Sequence, residues 1–159
     1  MIDIIHVDYN NTAQAADLIN MLNAYALDPM GGGEELAEET KSRLVQELSK
    51  RNDAISLIAY TDGKAIALIN AFEGFSSFAA KPLINVHDVF VAKEHRGTGI
   101  VYKMMEELGR IALERGCCKL TLEVLSKNDR AKKAYLTMGY KPYDLGEDGG
   151  HAEFWQMPL

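Results

Sequence analysis

The stretch FVAKEHRGTGIVYKMMEELG, residues 90–109, decides the fold. It begins apolar, like the end of a strand, and passes into a basic turn punctuated by Gly97 and Gly99. From Val101 onward Met104, Met105, Leu108, Ile111 and Ala112 recur at helical spacing, and Gly116 ends that helix. Glycines let the backbone curl and a ligand approach closely. The first amides of a helix have no intrahelical acceptor, and together with the helix dipole they suit a phosphate. Arg96 can add charge-assisted hydrogen bonds. The turn is not a Walker loop, because no Lys-Ser/Thr pair follows it, and not a dinucleotide fingerprint, because Ile100, Val101 and Tyr102 follow Gly97-Thr98-Gly99.

Working outward, IDIIHV (2–7) reads as a strand. Ala15, Leu18, Ile19, Leu22, Tyr25 and Ala26 mark a helix capped by Asn11 or Thr12 and broken by PMGGG. Glu34 to Lys50 reads as a second helix with Leu36, Leu44, Val45 and Leu48 inward. DAISLIAY and KAIALINAFEG are strands joined by Asp62-Gly63, a strong hairpin signal. KPLINVHDVFVA and CCKLTLEVL are strands on either side of the decisive helix, so the unit from 83 to 125 is expected to be a parallel crossover. NDRAKKAYLTMG reads as a short helix, and YKPYDL with AEFWQM as a last hairpin. The order is βααβββαβαββ: an α/β (α+β) chain with a mixed sheet covered by helices.

With 159 residues and no internal repeat or linker, residues 1–159 are expected to form a single domain. A net charge of −6 argues against general nucleic-acid binding and fits a cationic partner. No apolar run approaches the ~18 residues of a membrane span, and nothing resembles a signal peptide, so a cytoplasmic protein without a membrane partner is expected. Cys117 and Cys118 are neighbours with no second pair, which predicts reduced thiols and no metal site.

Two motifs together resemble the acetyl-coenzyme A (acetyl-CoA) binding core of the GNAT N-acetyltransferase superfamily. The first is Arg96-Gly97-Thr98-Gly99-Ile100, which departs from the family pattern where Val101 replaces Gly or Ala. The second is Asn128, Ala131 and Tyr135 followed by Gly139 and Tyr140. The resemblance is strong from Leu83 to Tyr143, and the segment NAFEGFSSFAAKPLINVHDVFV looks like the spermidine/spermine and thialysine branch. It implies a mixed, mostly antiparallel sheet of six to seven strands with four helices. It implies acetyl-CoA as co-substrate: pantetheine along Val89, Phe90 and Val91, pyrophosphate on the amides of Arg96, Gly97, Thr98, Gly99, Ile100 and Val101, and contacts from the Asn128–Ala131 turn. A homodimer is implied as well.

The chemistry that follows is transfer of acetyl to a primary amine of a small cationic acceptor, a diamine, polyamine or amino-acid-like compound, by direct attack in a ternary complex. Tyr135, at the matched spacing from Asn128, can protonate the leaving thiolate; the same helical spacing with Ala131 and Met138 also suits a core residue. His87 stands where the branch often has a glutamate and can serve as base, since an imidazole titrates near neutrality; a structural histidine is the other reading. By two-residue alternation Asp88 is expected on the opposite face from His87. Glu34, Glu35, Glu73 and Asp88 are acceptor-side candidates, although carboxylates also favour a helix N-terminus. The alternatives are a non-catalytic CoA-binding regulator and an acetyltransferase for protein or aminoglycoside amines.

Overall fold

The computed structural model describes residues 1–159. The chain divides into two compact units, Met1–Leu122 and Glu123–Leu159.

The first unit is built on five strands in the spatial order β1-β2-β3-β4-β5. These are β1 Ile2–His6, β2 Ala54–Thr61, β3 Lys64–Ser76, β4 Lys81–Val91 and β5 Leu120–Leu122. The first four pair antiparallel, and β5 joins β4 in parallel after the crossover helix. Asp62 and Gly63, with φ of 48° and 74°, form the mirror-image two-residue turn that matches strand twist in the β2–β3 hairpin.

Helix α1 (Thr12–Leu27) is capped by Asn11, whose side chain accepts from the amides of Ala13 and Gln14. It packs over β3 and β4 and against α2 (Glu38–Ser49). Their core joins Leu18 and Leu48 to Ala54, Ile58 and Leu68, with Leu44, Val45, Tyr60 and Phe72 around it. These β2 positions alternate with Ile55, Leu57 and Ala59, which lie on the opposite sheet face and are fully buried. There α3 (Ile100–Glu114) buries Met104, Met105, Leu108, Ile111 and Ala112, the stripe read from the sequence. No helix is long and apolar enough to cross a membrane.

The second unit carries α4 (Asp129–Thr137). Its expected last hairpin is reduced to one bridge, Asp144 to His151, so the sheet has five strands rather than six or seven. The reason is local. Gly146 and Gly150 close the turn, and Pro142 and Pro158 withdraw amides from the arms that would have paired.

Two boundaries also move. Helix α2 begins at Glu38 rather than Glu34, because the preceding backbone is tied back to α1: the Leu36 amide donates to Asn23 Oδ1 at 2.9 Å. Strand β5 is confined to Leu120–Leu122, since β4 offers it only Ile84, Asn85 and Val86 before its register shifts.

Candidate active site

The register shift in β4 organises the site. Asn70 of β3 faces Asp88, and the next residue, Ala71, faces Val86, which leaves His87 as an extra residue in a β-bulge. A bulge breaks the two-residue alternation. His87 packs edge-on to Phe72 with ring centroids 4.7 Å apart, and Asp88 accepts from Asn70 Nδ2 at 3.1 Å. Phe72 and Asn70 lie two residues apart on the α1 side of β3, so His87 and Asp88 share that face. The expectation of opposite faces is therefore corrected: the extra residue turns both side chains the same way.

The imidazole is exposed and the carboxylate is largely sequestered. Burial pushes the Asp88 carboxyl above the ordinary carboxylate range, opposed by the Asn70 hydrogen bond and the neighbouring His87. Tyr25 of α1 stands close enough to feel the Asp88 charge, and burial together with that charge raises its phenol.

Past the bulge, β4 is paired on one side only. Val89, Phe90 and Val91 face Ile69, Leu68 and Ala67 of β3, and β5 has already ended. The Ala92 amide donates to Ile66, so by alternation the peptide groups of Val89 and Val91 point away from β3 to the open edge. This edge can pair with an extended amide-bearing arm. One acceptor on it is already taken, as Arg96 Nε donates to the Val91 carbonyl at 2.9 Å.

The chain then enters a short 3₁₀ turn, Lys93–His95, and reaches the glycine turn. Gly97 and Gly99 have φ of 81° and 82°, a left-handed backbone that glycine adopts without strain. A Cβ at Gly99 would meet nothing within 4 Å. Glycine is therefore needed there for its conformation, not for lack of room. No side chain caps α3, and the amides of Gly97, Thr98, Gly99, Ile100 and Val101 find no backbone acceptor. The Arg96 amide donates to the Lys93 carbonyl at 3.3 Å. Five uncommitted amides at the positive end of a 15-residue helix suit an anion.

The Arg96 guanidinium does not turn toward those amides. It donates to Asp28 Oδ2 at 2.6 Å and lies over the Phe90 ring, 5.8 Å from its centroid. Asp28 ends α1 and also accepts from the Met30 amide, and the Arg96 bond holds its carboxyl below the ordinary range. The loop from Asp28 to Ala37 is thereby pinned to β4. Its tight start requires Gly31, where a Cβ would fall 1.9 Å from the Tyr25 carbonyl oxygen.

The acceptor-side carboxylates fare differently. Glu35 and Glu38 both bind Lys41, and Glu39 binds Arg43. Glu73 lies on the α3 side and is paired with Arg115 at 2.9 Å. Glu34 and Asp88 alone among the four candidates have no ion pair.

In the second unit Asn128 caps α4, its Oδ1 accepting from the Ala131 amide at 3.2 Å. Its side-chain NH₂ stays available to a ligand. Tyr135 lies two turns along that helix and stacks at a tilt on Tyr140, 5.8 Å between centroids.

The geometry combines a turn of free amides opening a helix, an open strand edge and a bulge that carries an imidazole and a carboxylate. The model of the Acetyltransferase (GNAT) family matches residues 18–140. The chain belongs to the GNAT family. It is thus an acyltransferase of a family that uses acetyl-CoA as co-substrate. An uncharacterized N-acetyltransferase of Archaeoglobus fulgidus is 33% identical over 103 residues, 64% of this chain and 69% of that protein. A thialysine N-epsilon-acetyltransferase of Bos taurus is 39% identical over 67 residues, 42% of this chain and 38% of that protein. The chain therefore spans well under half the length of that bovine relative, whose presence among the relatives agrees with the branch the sequence resembles. Among solved structures, an aminoglycoside acetyltransferase from an uncultured soil metagenomic sample superposes with a TM-score of 0.79 at 18% identity. The match covers 100% of this chain and 99% of that one.

Within this GNAT chain several site-forming residues escaped sequence reasoning. Asn70 and Ser56 sit in the apolar runs KAIALINAFEG and AISLIAY and are 4% and 1% exposed. The signal was present, since a polar residue at a buried phase of a strand needs a partner. Asp28 gave a weaker signal, because an Asp before Pro already has a local use in capping the turn that follows, here through the Met30 amide.

Proposed function

We propose that the chain transfers the acetyl group of acetyl-CoA directly to the primary amine of a small cationic acceptor, lysine-like or a diamine or polyamine. The carrying observation is the β4 bulge, which presents an imidazole and a carboxylate without an ion pair on one face, followed along the chain by an open strand edge and a turn of free amides. The class of acceptor is taken from the bovine relative's name and from the unpaired negative charge of Asp88 and Glu34.

The residues divide the work as follows. The amides of Gly97 to Val101 bind the pyrophosphate, and Val89 and Val91 offer peptide groups to the pantetheine arm. Arg96 contributes by holding the turn against Asp28, not by its charge on phosphate. Val101 keeps its amide in place of the family's Gly or Ala. The role of Asn128 rests on the family motif it matches: its Oδ1 is taken by the Ala131 amide, which leaves its NH₂ for the cofactor.

A primary amine has a pKa near ~10 and arrives as an ammonium ion. Asp88, with Glu34 at the loop, holds that ion, and His87 takes its proton. The freed nitrogen attacks the thioester carbonyl carbon and a C–N bond forms. As the C–S bond breaks, Tyr135, assigned by the family motif, gives its phenolic proton to the departing thiolate. The second proton lost by the acylated nitrogen restores the phenol, so that the one net proton leaves through His87. Glu35 and Glu73 are already paired with Lys41 and Arg115 and take no direct part in holding the acceptor.

Steady-state thiol release over a panel of diamines, polyamines, lysine analogues, aminoglycosides and peptide N-termini tests the reading. Cationic alkylamines are expected to lead. Turnover of aminoglycosides or peptides alone would refute the acceptor class, and acetyl-CoA binding without any turnover would favour a regulatory CoA-binding role.

A further inference from the structure

We propose that Tyr9, Ser56 and Asn70 are positioning residues for Asp88, forming a one-way chain of hydrogen-bond donors that fixes the carboxylate toward the acceptor amine. The chain crosses the sheet on its α1 face. Tyr9 Oη lies 2.9 Å from Ser56 Oγ, Ser56 Oγ donates to Asn70 Oδ1 at 2.7 Å, and Asn70 Nδ2 donates to Asp88 Oδ2 at 3.1 Å. Ser56 stands directly opposite Asn70 across β2 and β3, and Asn70 directly opposite Asp88 across β3 and β4. Asp88 closes the regular pairing that runs back from Val91, and the bulge at His87 begins just beyond it.

The direction of every bond follows from the carboxylate. An ionised carboxyl only accepts, so Asn70 must present its NH₂ to Asp88 and its carbonyl to Ser56. The single Ser56 proton is then committed to Asn70, and Tyr9 must donate to Ser56. Donors aligned head to tail reinforce one another in a low-dielectric interior. Protonated Asp88 would favour the reverse order, with Asn70 flipped and Ser56 donating to Tyr9. The chain therefore selects the ionised carboxylate in one orientation.

Structural need alone does not explain it. Ser56 and Asn70 are nearly inaccessible among Ile58, Leu68 and Ala54, where an apolar pair would pack with no polar group to satisfy. The groups facing Asp88 are His87 on its own strand, Asn70 on β3 and Tyr25 on α1, with Asp28 and Arg96 beyond Tyr25. Asn70 is the one that donates to the carboxylate, and its orientation depends on Ser56 and Tyr9.

This inference rests on the acceptor role given to Asp88 above, and the test separates the two. Carboxyl-¹³C aspartate is incorporated into the full chain, and the Asp88 resonance is identified by its loss in Asp88→Asn. Its titration is then followed without any substrate. Asn70→Ala is expected to raise the Asp88 midpoint by about one pH unit or more, the loss of one hydrogen bond to a charged group. Ser56→Ala and Tyr9→Phe shift it the same way by less. In all three the amine KM rises, about tenfold for Asn70→Ala, with a smaller change in kcat. If Asn70→Ala does not fold, Ser56→Ala and Tyr9→Phe decide. An unmoved Asp88 midpoint in the folded variants overturns the chain. A midpoint that moves while the amine KM stays put keeps the chain and removes Asp88 from the acceptor site.

Discussion

At the scale of single residues, Asp88 shows the tension between stability and function. Its carboxyl titrates above the ordinary range because burial disfavours the charged form. A raised folded-state value means that the contribution to stability is present at low pH and is lost as pH rises through that value. Ionised Asp88 therefore costs stability at neutrality. Asp88→Asn, which can still accept from Asn70, is expected to melt higher than the parent at pH 7. Each ~1 kcal/mol of relief reads as about 2–4 °C for a chain of this size. The gain should vanish below pH ~4, where both side chains are neutral. Calorimetry across pH checks this; equal melting temperatures at pH 7 would show that Asn70 fully compensates the charge. Tyr135→Phe addresses the chemistry separately. Loss of a general acid lowers kcat by ~10²–10⁴ with acetyl-CoA affinity unchanged, and parent-like turnover would take Tyr135 out of the reaction. The Asn128–Tyr135 spacing was legible in the sequence because a motif is written in consecutive residues. The Tyr9–Ser56–Asn70 chain was not, because register across three strands is a property of pairing and no single strand records it.

At the scale of elements, the turn at Gly97–Gly99 and the stripe of α3 were readable from the sequence for the same reason: period and punctuation are local signals. The β-bulge was not, because its signature is a mismatch between two strands, and alternation applied to β4 alone put His87 and Asp88 apart. Arg96 shows a second limit. Its place before the glycines suggested a phosphate ligand, whereas its partner lies 68 residues away at the end of α1. The Asp28–Arg96 pair couples the loop after α1 to the cofactor turn, and breaking it has two readouts. Asp28→Asn is expected to cost about 1.5–3 kcal/mol, the range for a hydrogen bond to a charged group. It is also expected to weaken acetyl-CoA binding, because the Arg96 side chain loses one of its two anchors. The depressed Asp28 carboxyl sets the pH window: its stabilisation is present above the ordinary carboxylate value and is lost as pH falls through the lower folded value. Thermal melts and calorimetric titration with acetyl-CoA check both effects. Unchanged affinity in a folded variant would make the pair a purely structural clasp.

At the scale of the whole molecule, the charge and the chain end remain to be connected to behaviour. The net charge of −6 gives a field that favours a cationic acceptor. The C-terminal residues pose the sharper question. The sequence suggested a closing hairpin, yet residues 152–159 form no strand, and Ala152 makes the last backbone bond of the segment, to Tyr143. Phe154, Trp155 and Met157 thus belong to a stretch with the composition of a strand and no neighbour to pair with. A second copy supplies such a neighbour, and pairing across a two-fold axis would complete the strands that one chain leaves undone. The expected result is a homodimer at micromolar concentration in sedimentation, with Trp155→Ser shifting the equilibrium toward the monomer while acetyl-CoA binding is retained. A species of only 17.6 kDa for the parent chain would refute the dimer. A dimer indifferent to Trp155→Ser would place the interface elsewhere, with the outer edge of β1 the next surface to test.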